Sequence, residues 1–123
     1  MPNIEELNNI VKKLQEIMRI QDWDIEVAIA NKYEIKDEID DDNIYGVSIR
    51  HMKMKTAKIL LNKDHHPEEW YATLVHELKH IQSSDMLNEM KKNMNDKQFD
   101  SLIYYEQLTE ILTKEFITLY PQK

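Results

Sequence analysis

Residues 73–82, TLVHELKHIQ, carry two histidines four positions apart, with a glutamate directly after the first. On a helix turning roughly 100° per residue, His76 and His80 lie about 40° apart. Thr73 shares their side, while Tyr71, Leu74, Val75, Leu78 and Ile81 occupy the opposite one, so the histidines form a face separate from the apolar stripe. Two imidazoles one turn apart can both reach a single divalent ion, and Glu77 projects beside them, where a carboxylate can act on a water. The string alone is only moderately specific. Its bland reading is a solvent-exposed polar face whose histidines are satisfied by water, so further donors must be sought elsewhere in the chain.

With no cysteine in the sequence, any metal must be bound through His, Asp or Glu. A hydrolytic zinc site needs a third protein ligand and an open fourth position for water. The C-terminal segment offers candidates. On a helical wheel Leu102, Tyr105, Leu108, Leu112, Phe116, Leu119 and Tyr120 fill one broad arc, extended by Phe99, Ile103 and Ile117, with Gln107, Lys114, Glu115 and Thr118 on the polar side. Glu106 and Glu110 fall inside the apolar arc, one turn apart. A buried, unpaired carboxylate costs several kcal/mol even after relaxation, so two of them on a packing face imply cationic or hydrogen-bonding partners. His76, His80 and a divalent metal would supply these; the alternative is an ordinary salt bridge to Lys or Arg near the domain edge.

The elements that must hold these residues follow from periodicity. Asn3 with Glu6 three residues later forms a capping box, and Ile4, Leu7, Val11, Leu14 and Met18 recur at helical spacing to about Ile20. WDIEVAIA alternates through Trp23, Ile25, Val27 and Ile29, and IYGVSIRHM through Tyr45, Val47 and Ile49, as half-buried strands do; KTAKILLN comes next as a third strand. Between the first two lies an acidic stretch with Asp40, Asp41 and Asp42, which lacks the glycine and closing glutamate of a calcium loop and reads as a solvated hairpin loop. Gly46, the only glycine, sits in a strand and marks a bulge or a close backbone approach. Pro67, Glu68 and Glu69 suit the first turn of the histidine helix. Residues 83–98 read as a short helix plus a turn, and a long helix runs from about Lys97 to Tyr120. The expected fold class is α+β: an N-terminal helix, a small, mainly antiparallel three-stranded sheet, the HExxH helix and a long glutamate-bearing helix. Residues 1–123 make a single domain, for which a hydrophobic fraction of 41% builds one modest core. A net charge of −7 argues against direct nucleic-acid binding, and the absence of any long uncharged apolar run argues against a membrane span or signal peptide, so a cytoplasmic protein is expected.

HELKH on one helix followed by YYEQLTE on the next resembles the gluzincin branch of zinc metallopeptidases. The order of leading helix, small sheet, histidine helix and glutamate helix is similar to that of the minigluzincins and of ImmA/IrrE-like and phage-encoded metallopeptidases, a likeness that covers nearly the whole chain. The resemblance implies one Zn2+ per chain, with His76, His80 and Glu106 as ligands, Glu77 as general base and Glu110 supporting a ligand histidine from the second shell. The position that supports the histidine is commonly Asp or Asn in the family, and this departure leaves both Glu106 and Glu110 as candidates to bind the ion. His51, His65 and His66 are the next donors in line. For the cationic or phenolic group that larger members bring to the transition state, Tyr45, Tyr104, Tyr105, His65 and His66 are candidates. The implied activity is hydrolysis of a peptide or protein substrate by a metal-activated water, with the substrate lying along the edge of the strand that contains Ile59. A metal-binding regulatory or interaction protein with little proteolytic activity is the alternative. Neither the substrate's sequence nor the oligomeric state is legible.

Overall fold

The structure is a computed structural model that describes residues 1–31, 33–34, 45–64, 67–84 and 96–122; for residues 67 and 96–106 it describes the backbone alone. Helix α1 spans Ile4–Met18, where Asn3 Oδ1 accepts a hydrogen bond from the Glu6 amide at 2.9 Å and Glu5 and Glu6 favour the positive end of the helix. It stops at Arg19, whose left-handed φ of 59° turns the chain while its N–H bonds back to the last turn. Buried Gln15 then ties this turn to the start of the first strand, donating through Nε2 to Ile20 O at 3.0 Å and Trp23 O at 2.8 Å.

The sheet has three strands, β1 (Asp24–Ala30), β2 (Gly46–His51) and β3 (Thr56–Asn62), in the spatial order β1-β3-β2. β1 pairs parallel with β3, from Asp24 against Thr56 to Ala30 against Asn62, and β2 pairs antiparallel with β3. The sheet is therefore mixed. β2 and β3 form the hairpin, across a turn in which Lys55 adopts φ 52° and pairs with the Asp22 carboxylate. Two expectations change with this order. β1 and β2 are not neighbours, so the acidic stretch between them is not a hairpin loop; its residues 35–44 lie outside the described ones. The strand containing Ile59 is central and bonded on both sides, so it has no edge for a substrate, whereas among the described residues β2 is paired on one side only.

A 3-10 turn, Pro67–Glu69, leads into α2 (Trp70–Gln82), and α3 spans Asp96–Leu119. Residues 85–95, which include most of the expected short helix, lie outside the described ones. Helices α1 and α2 lie on one face of the sheet, where Leu7, Val11, Leu14 and Met18 meet Val27, Ala57, Ile59 and Leu61 and then Leu74, Val75, Leu78 and Ile81. Leu7, Ile59, Leu74 and Leu78 are wholly buried, each stabilising the fold by about 1.5–3 kcal/mol. Helix α3 packs on α2. Lys79 Nζ sits 4.8 Å from the centre of the Phe116 ring, Tyr71 Oη donates to Tyr120 O at 2.7 Å, and burial lowers the Lys79 pKa.

The buried strip of α3 lies within the arc expected from the wheel but is narrower than it. Phe116, Thr109 and Thr113 are buried, and the Thr113 hydroxyl satisfies itself on Thr109 O at 2.7 Å, whereas Leu108, Leu112, Leu119 and Tyr120 are exposed. Docking on α2 through one narrow strip decides which side of a broadly apolar helix is covered. The order of elements is the expected zincin-like one. Among the described residues no helix is long and apolar enough to cross a membrane.

Candidate metal centre

Helix α2 carries the chemistry because its apolar stripe faces the sheet and α1, which turns His76, Glu77 and His80 toward β2 and α3. Strand β2 makes room for them. Its alternate residues Gly46, Ser48 and Arg50 stand opposite Leu61, Ile59 and Ala57 and share their helix-covered face. Val47 and Ile49 point the other way, packing with Ala28, Ala30 and Leu60. A methyl group at Gly46 would lie 2.6 Å from Thr73 Cγ2, so this glycine permits the close approach of β2 to α2.

The result is a cleft of about 710 Å3 walled by β2, α2 and α3. Within it the two imidazoles meet edge to face, ring centres 4.7 Å apart and planes at 81°, with their Nε2 atoms 3.0 Å from each other. The ligand atoms of His76, Glu77 and His80 all lie within 4.8 Å of one another, a cluster able to chelate a metal ion in a zincin-like helix arrangement. None of the three is a solvated surface group: Glu77 is 7% exposed and His80 9%. Burial raises the Glu77 carboxyl above its ordinary pKa of 4.5, and His80, His76, a hydrogen bond with Ser48 and the Arg50 charge pull it back in part.

On the far side of His76, Nδ1 is sealed from solvent and 2.7 Å from Glu110 Oε1. The ring nitrogen makes no hydrogen bond to that oxygen, and the Glu110 side chain is 59% exposed. Glu110 is thus not the buried carboxylate expected from the wheel; it reaches the histidine from the cleft rim. A proton held on Nδ1 toward Glu110 leaves Nε2 as a lone pair directed at His80 Nε2. Two imidazole nitrogens at 3.0 Å suit a shared cation. The donor set therefore fits a zinc-like ion.

The remaining candidates separate clearly. Tyr45 lines the cleft; His51 is exposed at the end of β2 on the face turned from the helices. The side chains of Glu106, Tyr104 and Tyr105, and residues His65 and His66, lie outside the described ones. Two cleft residues are not singled out from sequence, Ser48 near Glu77 and Arg50, whose Nη1 donates to His80 O at 3.2 Å. Their signal was the polar half of the β2 alternation, which reads as solvent-facing until the helix above it is placed. No family model, curated protein or solved structure matches the chain.

Proposed function

We propose that the protein is a zinc-dependent peptidase, with His76, His80 and Glu106 as metal ligands, Glu77 as general base and Glu110 as the partner that orients His76. The observation that carries this reading is the convergence of His76 Nε2 and His80 Nε2 at 3.0 Å beside the Glu77 carboxylate, with Glu110 behind His76. When bound, the ion would lower the pKa of water toward neutrality and polarise a carbonyl. Glu77, raised in pKa by burial, takes the proton of the attacking water and passes it to the leaving amine, so no covalent intermediate is needed. Ser48 holds the Glu77 carboxylate in place. Glu110 keeps the His76 proton on Nδ1, and Glu106, one helical turn before it, supplies the third donor. The edge of β2 that is unpaired among the described residues can receive an extended substrate through main-chain hydrogen bonds, with alternate side chains entering the cleft.

Zinc content and peptide hydrolysis, measured on the parent and on Glu77→Gln, test the proposal. The variant should keep its zinc and lose hydrolysis. A zinc-loaded parent that cleaves no peptide would leave the regulatory reading in its place, and a parent that binds no zinc would end both. Zinc titration of Glu106→Ala beside Glu110→Ala assigns the carboxylates. Loss of binding is expected for the first and a drop of about 10 to 100-fold for the second. The reverse order would exchange their roles.

A further inference from the structure

We propose that Arg50 makes the cleft selective for a substrate carboxylate at one position, two residues along the bound segment from the residue that faces Ser48. The inference rests on the peptidase reading for the way a substrate lies on β2. Strand β2 runs beside α2 in a fixed order: Gly46 approaches Thr73, Ser48 lines the cleft with Glu77 and Arg50 bonds the backbone of His80. Arg50 therefore stands one same-face step beyond the general base, toward the last turn of α2.

Its guanidinium is partly buried and lines the cleft; among the described residues it makes one hydrogen bond, through Nη1 to His80 O, and its charge acts on the nearby Glu77 carboxyl without an ion-pair contact. Charged side chains that are taken out of water are usually paired, and a guanidinium presents five N–H donors in a planar fork. One bond to a neutral carbonyl leaves that fork with an edge for two parallel bonds to a carboxylate. A lysine would serve equally well if the only task were to neutralise the carbonyl end of the helix.

A strand added to the edge of β2 that is unpaired among the described residues places alternate side chains on the helix-covered face, their Cβ atoms about 4.5–5.5 Å from those directly opposite. Because Ser48 lies between Gly46, which approaches Thr73, and Arg50, which bonds His80 O, it stands at the level of Glu77 and of the bond to be cut, and the substrate residue opposite Arg50 comes two positions away. Toward the other end of the cleft Glu69 lines the wall, beyond Tyr45 and Gly46. Acidic residues are thus favoured at the Arg50 end and disfavoured at the Glu69 end. The selectivity is positional rather than a general liking for acidic peptides.

The test walks a single glutamate along a neutral fluorescent octapeptide, with glutamine as the isostere at each position. Binding to the zinc-loaded Glu77→Gln protein is followed by anisotropy, and kcat/KM is measured on the parent. One position should bind glutamate about tenfold more tightly than glutamine. The ratio should fall toward one with Arg50→Gln and with added salt, and Arg50→Glu should invert it in favour of glutamine. Comparing two peptides within each variant cancels any general loosening of the fold by the substitution. A positional ratio that survives Arg50→Gln overturns the assignment, as does a parent that cleaves or binds peptides without regard to glutamate position. Position-dependent binding by a protein that cleaves nothing would instead uphold Arg50 and remove the peptidase reading.

Discussion

Replacing Gly46 with alanine measures how tightly β2 is held against α2. The added Cβ would stand 2.6 Å from Thr73 Cγ2 and 2.9 Å from Leu60 O, where ordinary contact begins at 3.4 Å; a third neighbour, Leu61 Cδ2 at 3.6 Å, is unaffected. Neither close atom yields easily. Thr73 is β-branched and stiff about χ1 on a helix, and the Leu60 carbonyl belongs to the central strand. Such overpacking costs about 1–3 kcal/mol. Gly46 does not have a positive φ, so alanine fits the backbone and recovers about 0.4–1 kcal/mol by restricting the unfolded chain. The net loss is then about 1–2 kcal/mol, or about 4–8 °C in Tm at this chain length. Thr73→Ser removes the clashing methyl, and the new Cβ of alanine refills the space, so the double variant should be more stable than the two single losses added together by about 1 kcal/mol. Denaturant and thermal melts of metal-free protein, followed by the fluorescence of buried Trp23 and Trp70, give both numbers. A Gly46→Ala protein as stable as the parent, or strictly additive losses, would refute the close approach and the placement of Ser48 and Arg50 that depends on it.

Glu77→Gln should stabilise metal-free protein at neutral pH. The folded-state pKa of Glu77 is raised above its unfolded value by burial, so its contribution is fully present below about pH 4 and is lost as pH rises through the folded pKa. The stability gap between variant and parent should close on acidification to about pH 4, and a gap independent of pH would contradict the burial of an ionisable carboxyl. The parent should bind about one zinc per chain with an affinity that declines as pH falls through about 6.5, because protonated imidazoles cannot ligate; calorimetry at several pH values with a flat result would exclude histidine ligation. On α3, Phe116→Ala should cost about 3–5 kcal/mol while Leu119→Gln stays within about 0.5 kcal/mol, and equal losses in melts would restore the wheel-derived packing face.

Local periodicity was enough to locate the chemistry on the chain. His76, Glu77 and His80 share a helix side because 3.6-residue geometry allows nothing else, and Leu7, Val11, Leu14 and Met18 name the buried side of α1 for the same reason. These are relations among residues a turn apart, which neighbours in space do not alter. Strand order is a relation between segments far apart in sequence. Alternation identifies β1, β2 and β3 but cannot place β3 between the other two, so the family resemblance points to an edge on the strand of Ile59, which is in fact central. The same limit hid Ser48 and Arg50. Alternation separates Tyr45, Val47 and Ile49 from Gly46, Ser48 and Arg50, yet only the packing of α2 decides that the polar set faces the helices. On α3 a broad apolar arc permits several docking sides, and the fit to α2 selects Thr109, Thr113 and Phe116 over Leu108, Leu112 and Leu119. That selection brings Glu110 to His76 from an exposed position, a contact between residues 34 positions apart that local pattern could not fix.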